Sequence, residues 1–278
     1  MPGTTLVGNL RKMRVEHADP ILYTLPVGSE AVALNPLIGE TISIRHTGSI
    51  HCVACGRRTA KSFNQGHCFQ CFRNLASCDG CIVRPERCHF HLGTCREPAW
   101  GEANCMRSHV VYLANSSGVK VGITRASQTP TRWIDQGAAQ ALPIARVASR
   151  RLSGLMEVVF KEHVSDRTSW QRMLKGEPES VDLKASREAL FDQSSDNIAK
   201  LRDEHDYVEP EFIVDMESLA FSYPVIEYPV KVSAINLDKT PRIEGTLLGI
   251  KGQYLILDIG VLNVRKYGGY EIALSAAN

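Results

Sequence analysis

Residues 110–125, VVYLANSSGVKVGITR, decide the fold. Val110 to Ala114 is an apolar run, Asn115 to Gly118 supplies a tight turn, and Val119 to Ile123 is a second run. Two β-prone runs about an Asn/Ser/Gly turn read as a hairpin. Downstream the period changes to that of helices. Pro130 opens a helix carrying Arg132, Trp133 and Ile134, and Asp135 and Gln136 at its end, beside Gly137, turn polar groups toward the same neighbourhood. A second helix is expected to be capped by Ser153 and to run through Leu155, Met156, Val159 and Phe160 to about Met173. Residues 183–203 give a third, with Leu183, Ala189, Leu190, Ile198 and Leu201 on one side and Pro178 and Pro210 bracketing it. The class expected is α+β.

Upstream lies a block of cysteines opening with Cys52-x2-Cys55-x12-Cys68-x2-Cys71. This spacing lets two tight turns close a thiolate tetrahedron around one zinc ion, which replaces the core that so short a segment cannot build. Cys78, Cys81, Cys88 and Cys95 follow and predict a second zinc, with His89 or His91 in place of one sulfur as a variant and interleaved ligation between the two sets left open. Cys105 and His109 either complete a further site or are inert, a buried free thiol being the simpler reading of Cys105. Both zinc ions are expected to be structural, since neither His-Glu-x-x-His nor the zinc-deaminase signature is present.

Composition frames these segments. With 278 residues and 44% apolar content, the chain suits one large domain or two to three small ones. No run of eighteen or more apolar residues marks a membrane span, and the first twenty residues carry charges without a signal-like apolar stretch. A cytoplasmic location with reduced thiols is expected, which favours metal ligation over disulfides. The net charge of +2 hides an asymmetry: residues 50–175 hold 18 Lys and Arg against 8 Asp and Glu, and residues 176–217 hold 4 against 13. The basic part suits DNA or RNA, and the acidic segment, 177–217, either docks within the chain or meets a protein partner. Phe63, His67, Phe69 and Phe72 alternate with Arg57, Arg58, Lys61 and Arg73, a mixture that serves single-stranded nucleic acid or a small module's own core.

Both ends read as β. Ile21–Leu25 and Thr41–Ile44 near the start, and Val230–Ile235, Ile243–Leu248, Tyr254–Ile259 and Tyr270–Leu274 near the finish, lie between Gly and Pro turns as small β units, duplicated or closed jointly. The division expected is a β unit at 1–50, a zinc module at 51–108, an α/β domain at 109–176, an acidic helical segment at 177–220 and a β unit at 221–278.

Tyr112, the Lys120-Val121-Gly122 triplet, Arg132 and Glu157 resemble, in order and spacing, the signature positions of the GIY-YIG endonuclease superfamily. The resemblance covers about residues 109–175 and implies a small three-stranded sheet flanked by helices. It implies that Tyr112, Lys120, Arg132 and Glu157 form a catalytic site, with Mg2+ or Mn2+ at Glu157. The first triplet lacks its Gly and Ile, and Lys120 stands where the second Tyr is expected. Chemistry alone gives compatible roles: a carboxylate for a divalent ion, an Arg to clamp phosphate, and a Tyr or a desolvated Lys to orient or deprotonate water. The plain alternatives are a core ring for Tyr112, a surface Arg132, and a Glu157 paired with Lys161 one turn on. Nearly end to end the chain also resembles domain-of-unknown-function family 2797, through the cysteine block, Lys120 to Arg125 and Arg132 to Ala138. The expected function is a zinc-containing nucleic-acid-binding protein acting as a divalent-metal-dependent endonuclease. The alternatives are a noncatalytic DNA- or RNA-binding protein and a protein-interaction adaptor.

Overall fold

The structure, a computed structural model, describes residues 5–204 and 210–276. Contacts divide the chain into two units, each discontinuous in sequence. The first takes the described residues up to Arg73, Leu174–Gly176 and those from Phe221 on; the second takes Asn74–Met173 and the described part of Glu177–Ala220.

The first unit joins the two ends of the chain in one antiparallel sheet. Its order is β1 (Leu6–Asn9), β14 (Tyr270–Ala276), β5 (Thr41–Ile50), β11 (Arg242–Lys251), β12 (Tyr254–Leu257) and β13 (Gly260–Asn263). Leu274 lies opposite both Leu6 and Ile44, and Ile44 lies opposite Ile243, so alternate apolar residues of early and late strands share one face. A three-stranded sheet of β2 (Arg14–Glu16), β3 (Leu22–Val27) and β4 (Glu30–Ala33) accompanies it, and α1 (Phe69–Asn74) carries Cys71, the last of the first cysteine set. Val230–Ile235 is not a strand: Val230 is 93% exposed, and only Ala234 makes an isolated bridge, to Val261. Its β-branched residues match the strand pattern, but Pro229 just before them cannot donate to a ladder.

The second unit is built on the hairpin. β6 (His109–Asn115) pairs with β7 (Val119–Arg125) and with β8 (Gln140–Val147), giving three long strands in the order β8-β6-β7. Two-residue strands β9 (Glu211–Phe212) and β10 (Leu219–Ala220) extend the β8 edge. The small three-stranded sheet with flanking helices is therefore present. The helices are α2 (Pro98–Asn104), α3 (Thr131–Asp135), α4 (Arg150–Phe160), α5 (Trp170–Met173) and α6 (Leu183–Glu204). All seven β6 residues are buried, as a central strand covered on both faces requires. Val111, Leu113 and Val121 enter a core with Leu152, Met156 and Phe160 of α4 and Leu190 and Ile198 of α6.

The second predicted helix is corrected at both ends. Ser149, not Ser153, caps α4, accepting from the Leu152 N–H at 3.3 Å, while Ser153 Oγ bonds back to the Arg150 carbonyl. The helix ends at Phe160 because the chain beyond is drawn to the sheet, where the Ser165 carbonyl accepts from the Val121 N–H at 2.8 Å. Among the described residues no helix is long and apolar enough to cross a membrane.

Candidate functional site

The first cysteine set closes as its spacing predicts. Ligand atoms of Cys52, Cys55, Cys68 and Cys71 all lie within 4.8 Å of one another, with the Cys55 and Cys68 sulfurs 3.9 Å apart. Two turns bring them there. The Gly56 N–H bonds to the Cys52 carbonyl, and Phe63 pairs with His67 around Asn64, Gln65 and Gly66, all three at positive φ. Burial pushes the Cys52 thiol up, but hydrogen bonds from the backbone at Cys55, Cys68 and Ala54 outweigh it and bring it down to about 6. Burial and the neighbouring sulfurs push Cys71 the other way. Several sulfurs thus compete to carry negative charge in one small volume, which a dication resolves; a thiophilic ion fits this donor set. Phe63 lies 5.6 Å from Phe69 and 5.7 Å from Phe72, so the rings form the module's miniature core, while Phe69 stays 56% exposed with Arg73 over it.

The later cysteines separate. Residues 76–92 form a succession of single 3-10 turns, the second capped by Asp79. Asp79, Cys81 and His89 bring ligand atoms within 4.8 Å of one another and form a second group able to coordinate a metal. Cys88, Cys95 and Cys105 line one cavity with Asp79, Cys81 and His89, and Cys78 is not among its lining residues. His91, Leu92 and Gly93 are exposed. His109 turns one ring nitrogen to the Arg107 carbonyl at 2.7 Å.

A polar cluster sits inside the second unit. Tyr112 faces Gly122 across the β6/β7 ladder, and a Cβ on Gly122 would come 2.7 Å from the phenol oxygen. The ring can lie across β7 only because that position is glycine. The Tyr112 hydroxyl donates to Gln136 Oε1 at 2.9 Å, and Lys120 Nζ donates to the same oxygen at 2.7 Å. Trp133 flanks Tyr112 with ring centroids 5.6 Å apart.

Arg132 and Glu157 belong to the same electrostatic neighbourhood. Burial raises the Tyr112 phenol to about 12, with Arg132 opposing the rise and Glu157 adding to it. Burial, then Arg132, lowers the Lys120 amine to about 8, while Glu157 and Asp166 act in the opposite sense. Burial, then Asp166, raises the Glu157 carboxyl to about 7 against the pull of Arg150 and Lys161. Tyr112 of β6 and Lys120 of β7 thus share Gln136 at the end of α3, with Arg132 of α3 and Glu157 of α4 within electrostatic range of both. A half-buried carboxyl that feels a second acid suits a hard divalent cation.

Asp166 and Arg150 are the additions that the linear pattern did not suggest. Asp166 lies in the segment read as helix, and its approach depends on the tertiary pairing of Ser165 with Lys120. Arg150 acts on both Glu157 and Cys105 while its guanidinium donates to the Ile82 carbonyl at 2.6 Å, so it lies between the cysteine segment and the polar cluster.

No curated protein and no solved structure matches the chain. One family model does, over residues 39–272, which take in both cysteine segments, the sheet of the second unit and most of the late strands. On that match the chain belongs to the family described as protein of unknown function (DUF2797).

Proposed function

We propose that the protein is a zinc-containing nucleic-acid-binding protein whose second unit carries a GIY-YIG-like site for phosphodiester hydrolysis. The observation that carries this reading is the bond that Tyr112 and Lys120 share on Gln136, with Arg132 and Glu157 within electrostatic range of both. Hydrolysis forms one P–O bond from water and breaks another, and the departing sugar oxygen gains a proton. Arg132 supplies the planar, permanently charged donor that grips phosphate oxygens as their charge rises. Lys120 near 8 is partly neutral at physiological pH and can accept the proton of the attacking water, while Tyr112 near 12 stays protonated and holds Gln136 in place. Mg2+ or Mn2+ held at Glu157 would add positive charge beside the scissile phosphate. The zinc held by Cys52, Cys55, Cys68 and Cys71 is structural and supports a module with Lys61 over Phe63 and Arg73 over Phe69, ring faces and cations suited to unpaired bases.

One observation favours a noncatalytic form of the same reading. Tyr112 is 0% and Lys120 5% exposed, and both donate to one Gln136 oxygen, which is also how a rigid binding surface would spend them. The deciding experiment incubates labelled single- and double-stranded DNA and RNA with the full chain in Mg2+ or Mn2+, beside Glu157→Ala and Arg132→Ala. The endonuclease reading expects cleavage to fall at least about 100-fold in each variant, the scale of losing one transition-state contact. Cleavage that survives both removes the site, and salt-sensitive binding without any cleavage selects the noncatalytic form.

A further inference from the structure

We propose that a second zinc ion is held by the thiolates of Cys81, Cys88, Cys95 and Cys105, with Cys78 outside the set. These four cysteines line one cavity of about 10 Å3, together with Asp79, His89 and apolar groups of Ile82, Phe90 and Trp100. That space is at the lower limit for a single water and excludes any organic ligand. Four soft donors around a hole of atomic size are the chemistry of a closed structural zinc site.

The surroundings are shaped to this purpose. Gly101 of α2 lies on the cavity, where a Cβ would come 3.1 Å from Cys95 Sγ and 2.9 Å from the Phe90 ring. The Cys105 thiol lies within electrostatic reach of Cys88 and Cys95, and the Cys81 thiol within reach of Cys88 and Cys105. In the competing trio of Asp79, Cys81 and His89, which borders the same cavity, the carboxylate is already paired. The Asp79 carboxylate meets Arg96 Nε at 2.6 Å, and His89 Nδ1 is bonded to Thr94 Oγ1 at 2.7 Å. A dication taken up by the Asp79 carboxylate would have to displace that guanidinium. Asp79 and His89 then serve as the bracket that holds the loop of Cys81, His89 Nε2 lying 3.6 Å from Asp79 Oδ2.

The assignment has a structural consequence. The Cys105 carbonyl accepts from the Arg150 N–H at 2.8 Å, at the first residue of α4, and a Cβ on Gly154 of that helix would meet Pro85 and Glu86 at 2.5 Å. An ion at Cys105 would therefore fix the helix that carries Glu157. The proposal is independent of any nuclease activity, because its readouts are metal content and coordination.

The test measures zinc in the full chain and in single variants. Two zinc ions are expected for the parent and for Cys78→Ser, and one for Cys105→Ser. Cys52→Ser removes the other ion and separates the two sites. Zinc-edge X-ray absorption of the parent is expected to show a sulfur-only shell at about 2.3 Å. This second readout decides the matter if Cys105→Ser does not fold. Loss of an ion in Cys78→Ser, retention of two in Cys105→Ser, a single ion in the parent, or a nitrogen or oxygen component in its shell would each overturn the proposal.

Discussion

The Cys52–Cys71 module and the β6/β7 hairpin solve opposite problems. The module has four sulfurs within 4.8 Å, three phenylalanine rings and little else, so its order depends on balancing negative charge at one point. The hairpin has a fully buried strand and a shared apolar core, and its polar groups are guests inside packing that already exists. On the proposed reading one region is held by an ion, the other by excluded water. Cys71→Ser presses hardest on this contrast. Structural zinc is worth roughly 10 kcal/mol or more of binding free energy in small modules, so amide signals from residues 50–73 should collapse while those from 109–125 keep their dispersion. Equal loss in both stretches would erase the distinction.

Gly122→Ala probes the other side. The added methyl would enter the space of the Tyr112 hydroxyl at 2.7 Å, and the ring cannot swing away without abandoning Gln136 and Trp133. Overpacking of this kind costs about 3 kcal/mol, read as a lower denaturant midpoint with zinc content unchanged. Wild-type stability in this variant would mean that Tyr112 is loosely held, and the hairpin would lose its claim to be the rigid partner.

The contrast also explains what the sequence could reveal. The first cysteine set is legible because two Cys-x2-Cys pairs leave one local way to gather four sulfurs. The later segment offers five cysteines over residues 78–105, and four of them line one cavity with Gly101 of α2, a juxtaposition that no spacing rule contains. The hairpin was legible from its two β-prone runs and its turn. The limits of α4 were not, because Ser149 and Ser153 are both acceptable caps in isolation, and only the end of β8 at Val147 selects the earlier one. Asp166 stayed hidden for the same reason: a polar segment reads as helix until Ser165 is claimed by β7. Tyr112, Lys120, Arg132 and Glu157 could be named from their order, but the anchor that Tyr112 and Lys120 share on Gln136 depends on the close approach at Gly122.

Acid separates the two regions more gently. His109 opens β6, is 0% exposed and is held at about 4 by burial, with Arg150 and Arg125 adding to the effect and its bond to the Arg107 carbonyl opposing it. The ordinary value is near 6.5, so as pH falls the unfolded chain takes up the proton first. The stability tied to neutral His109 is complete above about 6.5 and drains away toward 4. Its loss between pH 8 and pH 5 is about 2 kcal/mol, which denaturation of the second unit at the two pH values would show. Zinc release from protonated thiols also weakens a metal module in acid, so the variant His109→Gln separates the causes. If it flattens the pH dependence of signals from 109–125 and leaves that of 50–73 intact, burial and ligation are separate supports. If the slope at 109–125 persists, acid acts on the hairpin through the thiols near Arg150, and the two regions are less independent than their chemistry suggests.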